Sequence, residues 1–160
     1  NSNTVKASSL MIQAVDSEVQ EDARRVVWNG AGPGQVALSV GNRQDFINYY
    51  NSDSALVFDV KVDSVPSATT YLRLGCGSYC ASDIDLTEKL KGFSGQGWQT
   101  VTIPFRCYPD SGANFGVAQP PAEYWTQVLA PFSLVTSGEL DLSFAKVSVV
   151  KGAGKDIACP

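Results

Sequence analysis

Residues 55–63, ALVFDVKVD, alternate apolar and polar side chains with a period of two. In an extended strand this period sends Leu56, Phe58, Val60 and Val62 to one face and Val57, Asp59, Lys61 and Asp63 to the other. One face suits a core and the other suits water or a ligand. The rhythm returns in QTVTIPF (99–105), which aligns Val101, Ile103 and Phe105. It returns again in GELDLSFAKVSVV (138–150), which aligns Leu140, Leu142 and Phe144. There the phase slips near Ala145–Lys146 before Val147 and Val149, which predicts a β-bulge. SLMIQAV (9–15), RRVVW (24–28), VALSV (36–40) and YLRLG (71–75) are further short strands, bounded by Gly, Pro, Asn, Asp or Ser. Many short strands with turn residues between them predict an all-β fold, an antiparallel β-sandwich. Helix is expected only at DLTEKLKG (85–92), with Asp85 as the cap and Gly92 as the stop.

The 160 residues are enough for one domain with a continuous core, and no linker or repeat divides them, so residues 1–160 are expected to form a single module. A net charge of −4 without a basic stripe argues against nucleic acid and against an anionic membrane surface. No apolar run reaches the roughly 20 residues that cross a bilayer. The opening NSNTVKASS has no signal-peptide core, so a mature protein or an excised module is expected.

Histidine is absent, which excludes Ser-His-Asp and Cys-His nucleophile systems within this chain. The four cysteines, at 76, 80, 107 and 159, have neither the spacing of two zinc knuckles nor a CxxC redox motif. An even count in a chain rich in Ser, Thr, Gly and aromatics fits disulfides and a periplasmic or extracellular protein. Of three possible connectivities, Cys76–Cys80 is favoured because a glycine-flanked loop can bring close neighbours to about 5.5 Å between Cα atoms. Cys107 then pairs with Cys159.

A saccharide surface needs flat apolar faces for pyranose rings and planar polar groups for their hydroxyls. Alternation turns Asp59 and Lys61 outward on one strand, Tyr71 and Arg73 on the next, and Arg106 follows a third. If those strands are neighbours, the five residues form a polar and aromatic stripe. The competing reading is an ordinary solvated face. Residues 108–131, with four prolines, are too long for a hairpin turn and carry Tyr124 and Trp125, expected to close one edge of the stripe. Trp98 is expected in the core beneath the short helix, and Trp28 could serve either role. The acid pairs Glu21–Asp22 and Asp83–Asp85 are explained locally as a strand entry and a helix start rather than as a glycosidase pair. Asp16, Asp22 and Asp141 could share a structural calcium through oxygen ligands, or could be separate surface carboxylates.

The order of landmarks carries a resemblance. GCGSYC (75–80), GWQTVTIPFRC (97–107) and APFSLVTSGELDLSFAKVSV (130–149) resemble the C-terminal β-sandwich domain of bacterial family 3 glycoside hydrolases of the exo-β-glucanase type. More distantly, the chain is similar to carbohydrate-binding modules with a galactose-binding-like jelly roll. The likeness runs from Ala14 to Val150. It implies a non-catalytic accessory module that binds β-glucan-type polysaccharide or supports an active site on a neighbouring catalytic domain. A glycan-cleaving hydrolase or lyase, and a ligand-free interdomain spacer, are the alternatives. The chain departs from the family pattern in two places. GVAQPPAEYWTQ (116–127) reads as an insertion. FAKV (144–147) stands where many jelly-roll modules carry an acidic pair that helps to hold calcium.

Overall fold

The computed structural model describes residues 4–77, 80–109 and 124–160. Among them ten strands are present: β1 (Thr4–Lys6), β2 (Leu10–Val15), β3 (Ala23–Asn29), β4 (Gly34–Leu38), β5 (Ala55–Ser64), β6 (Thr70–Gly77), β7 (Cys80–Asp85), β8 (Trp98–Pro104), β9 (Phe132–Thr136) and β10 (Glu139–Val150). Six of them form one sheet in the order β1-β2-β3-β10-β5-β8, and four form the other in the order β4-β9-β6-β7. All strand pairs in both sheets are antiparallel.

The core lies between the sheets and is made by the alternation. Leu56, Phe58, Val60, Leu72, Leu74, Val101, Ile103, Leu142 and Phe144 are all buried, as their periodicity requires. Phe132 bridges the two layers, packing edge-on against Phe58 and tilted against Phe144. The predicted bulge is present in β10. Its register against β5 jumps between Ala145 and Ser148, and Lys146 adopts a positive φ of 54°. Both disulfides form as expected, with Cα separations of 5.1 Å for Cys76–Cys80 and 5.5 Å for Cys107–Cys159.

Two local expectations need correction. The acid pair Asp83–Asp85, read as a helix start, lies in the edge strand β7, which buries Ala81 and Ile84 against the core. The helix that follows, α2 (Thr87–Phe93), has buried Leu86 at its N-cap position and runs through Gly92. Asp85 still contributes, because its carboxylate accepts the Thr87 backbone N–H at 2.9 Å. A second short helix, α1 (Ile47–Asn51), precedes β5.

Candidate functional site

The stripe expected from Asp59, Lys61, Tyr71, Arg73 and Arg106 is not one surface. Asp59 and Lys61 lie on β5 in the six-stranded sheet, and Tyr71 and Arg73 lie on β6 in the four-stranded sheet. Both strands turn one face inward, so their outward residues point in opposite directions. Chain neighbours need not be sheet neighbours, and here the β5–β6 connection crosses the sandwich.

Arg106 belongs to neither face. It sits in a 3-10 turn, Phe105–Cys107, and its guanidinium donates to the backbone carbonyls of Gly154 and Ile157. Next to the Cys107–Cys159 disulfide, it fastens the C-terminal tail.

Tyr124 and Trp125 are also misplaced by the sequence reading, since both are fully buried. Trp125 stacks on Phe105 with centroids 4.4 Å apart and meets Tyr50 and Tyr108 at 5.3 and 5.6 Å. The Tyr124 hydroxyl donates to the Pro109 carbonyl at 2.6 Å. These rings pack as a plug, and burial pushes the Tyr108 phenol far above its ordinary range. Proline-rich sequence was a poor guide to exposure at this point. Of the stretch read as an insertion, residues 116–123 lie outside the described residues.

On the four-stranded sheet, register places Gln35, Val135, Tyr71 and Asp85 in one row across β4, β9, β6 and β7. This row faces away from the core, because Leu72, Ile84 and Leu134 alternate inward. Beside it Tyr71, Val135, Thr136, Ser137, Pro33 and Thr69 line a groove of about 340 Å³. Arg73 and Asp83 occupy the next row and form a two-pronged pair at 2.8 and 2.9 Å, with side chains only 11% and 8% exposed. The hydrogen bond to Asp83 raises the Arg73 pKa and holds the guanidinium charged. Arg73 is therefore an anchor of the sheet rather than an open ligand contact. Gln35 and Val135 were not singled out from the sequence, and Asp85 only as a helix cap and half of an acid pair, because cross-strand register cannot be read from one strand at a time.

On the six-stranded sheet, a second outward row runs Gln13, Arg25, Ser143, Lys61, Trp98 across β2, β3, β10, β5 and β8. Trp98 is half-buried and faces outward opposite Lys61, so it does not fill the core as expected. The signal was present in the sequence: with Val101 and Ile103 inward, period two turns 98, 100 and 102 outward. Trp28 lies in the core, as Trp125 does, with its ring N–H donating to the Gly34 carbonyl at 2.9 Å. Asp59 accepts the Thr100 hydroxyl at 2.7 Å.

The three carboxylates considered for calcium are engaged separately. Asp141 forms a two-pronged pair with Arg25 at 2.9 and 2.6 Å. Asp22 accepts the backbone N–H groups of Ser17, Glu18 and Val19, which hold its carboxyl below the usual range. Asp16 accepts the N–H of Glu21 in the same β2–β3 loop. Among the described residues no three acidic, histidine or cysteine side chains converge on a metal position. Asp16, Asp22 and Asp141 thus close a loop and brace a sheet.

Two packed antiparallel sheets with outward polar and aromatic rows define a galactose-binding-like jelly roll. The chain belongs to the Exop_C family, whose model, described as galactose-binding domain-like, matches residues 1–149. Among solved structures, it is similar to the exo-1,3/1,4-β-glucanase ExoP of a Pseudoalteromonas species, at 20% identity and a TM-score of 0.73. The match covers 99% of this chain and 18% of that enzyme. The extra C-terminal domain of ExoP, solved separately, matches at 20% identity and a TM-score of 0.68, with 92% of this chain and 75% of that one covered. The family 30 carbohydrate-binding module of the Clostridium thermocellum cellulase Cel9D-Cel44B matches at 14% identity and a TM-score of 0.65, covering 97% of this chain and 88% of the module. The C. thermocellum family 11 module, solved with a β-1,3-1,4-mixed-linked tetrasaccharide, matches at 10% identity and a TM-score of 0.60, covering 92% and 86%. No curated protein sequence matches the chain. The fold is one that this chain shares with the ExoP extra domain and with the carbohydrate-binding modules of families 30 and 11, in line with the resemblance read from the sequence.

Proposed function

We propose that residues 1–160 act as one extracellular module that binds β-glucan-type polysaccharide for a glycoside hydrolase catalytic domain. The observation that carries this reading is the row Gln35, Val135, Tyr71, Asp85 beside its groove on the four-stranded sheet. Tyr71 offers a ring face for the C–H side of a pyranose, with Val135 and Pro33 as apolar flanks. Gln35, Asp85 and Ser137 offer donors and acceptors for hydroxyl groups. The Arg73–Asp83 pair in the next row ties β6 to β7 beside this surface. An open, shallow surface suits a polymer that enters from the side.

The solved relatives support the ligand class: one is the extra domain of a β-glucanase and another holds a mixed-linked β-glucan tetrasaccharide. Two disulfides support an oxidising, extracellular setting. Affinity electrophoresis on mixed-linkage β-glucan, with calorimetry on its oligosaccharides, tests the reading. Binding is expected in the micromolar to millimolar range, as about 1 to 2 kcal/mol per aromatic contact allows. Tyr71→Ala should weaken it about tenfold while the protein stays folded. Unretarded migration of the parent protein on every β-glucan tested would remove the proposal and leave a spacer role.

A further inference from the structure

The outward row of the six-stranded sheet forms a second surface with the makings of a ligand site. Lys61, Asp63, Arg25, Trp98, Ser143 and Asp16 line an open groove of about 440 Å³ on the side opposite Tyr71. Strands lie about 4.8 Å apart, so the row from Gln13 to Trp98 spans roughly 19 Å across five strands, the length of a short oligosaccharide. Trp98 stands at one end with a partly exposed ring. Lys61 and Asp63, 45% and 38% exposed and 4.0 Å apart, offer a donor and an acceptor beside it. Ser143 continues the polar floor.

The charge balance narrows the occupant. Arg25 is already neutralised by Asp141, and Lys61 stands beside Asp63. Among the lining residues Arg25 and Lys61 are balanced by Asp16 and Asp63, with Asp141 paired to Arg25 alongside, so the groove has no excess positive charge to hold a polyanion. Cores of protein–protein interfaces are depleted of Lys and Asp, which this groove places at its centre. A neutral polyol with ring faces fits best. We infer that this groove, centred on Trp98, Lys61 and Asp63, is a second binding site for a neutral glycan. The module would then be bivalent, with one site on each outer face, and would gain avidity on a polymer from linked weak contacts. This inference stands on the six-stranded sheet and does not require the Tyr71 surface to bind.

The tryptophans supply a direct test. The chain has three; Trp28 and Trp125 are buried, so Trp98 dominates collisional quenching by acrylamide. The β-1,3-1,4 tetrasaccharide should protect the emission from acrylamide, and protection should persist in Tyr71→Ala. The paired variant Lys61→Ala/Asp63→Ala should lose the protection while keeping its circular dichroism spectrum. Calorimetry should count one site fewer in Trp98→Ala than in the parent, and where the Tyr71 surface also binds the parent should show two sites and Tyr71→Ala one. Protection that vanishes in Tyr71→Ala, or a single site lost with Tyr71 alone, overturns the second site. So does protection by an oligouronide but not by the neutral tetrasaccharide, and so does absence of any protection.

Discussion

Arg73 shows how one side chain can look like a ligand contact and act as a brace. Its outward position on β6 follows from alternation, but its guanidinium is closed by Asp83 and nearly shielded from water. Removing the arginine strands a buried carboxylate, a loss of about 3 to 5 kcal/mol for a broken buried pair. Arg73→Ala should therefore lower the urea midpoint steeply, whereas Arg73→Met/Asp83→Leu should recover most of the loss. If Arg73→Ala unfolds at the parent's midpoint, the pair does not brace the sheet. The partnership was invisible in the sequence because Asp83 lies on β7, a strand whose alternation is weak: between Cys80 and Asp85 only Ile84 is strongly apolar.

At the scale of elements, the described residues that follow β8 add Phe105, Tyr108, Tyr124 and Trp125 to the core. The 3-10 turn brings Phe105 against Trp125, and the Phe46 backbone N–H donates to the Trp125 carbonyl at 2.6 Å, tying the segment to α1. Truncating a fully buried tryptophan costs about 3 to 5 kcal/mol. Trp125→Ala should lose that much in chemical denaturation along with its near-ultraviolet dichroism, and Trp125→Phe should lose less. A surface-loop tryptophan would show neither effect. The proline-rich composition around residue 125 pointed to an exposed loop, because composition reports backbone irregularity and not what lies above it. Apart from the neighbouring Tyr124, the aromatic partners of Trp125 are Tyr50, Phe105 and Tyr108, at least 17 residues away in the chain.

At the scale of the whole molecule, the C-terminus is stitched back to β8 by Cys107–Cys159 and by Arg106. That disulfide joins residues 52 apart, and Cys76–Cys80 joins residues 4 apart. In the chain-entropy model, the long loop contributes about 4 kcal/mol and the short one about 2 kcal/mol. Cys107→Ala/Cys159→Ala should accordingly lower the thermal midpoint roughly twice as far as Cys76→Ala/Cys80→Ala. Equal shifts in calorimetric scans would contradict this ranking.

Residues 55–63 and 138–150 by themselves determined that this is a β-sandwich, which side chains fill its core and where β10 bulges. Those properties are local, since a strand with a period of two must bury one face whatever its partner. The cysteine spacing likewise narrowed the disulfides, because a short loop leaves few geometries open. Only the tertiary structure decided which outward residues share a surface. Asp59 and Lys61 parted from Tyr71 and Arg73 because β5 and β6 joined different sheets, and Trp98 came beside Lys61 because β8 paired with β5. Alternation says that a side chain points outward; strand order says what stands next to it, and strand order is set by packing across the whole core.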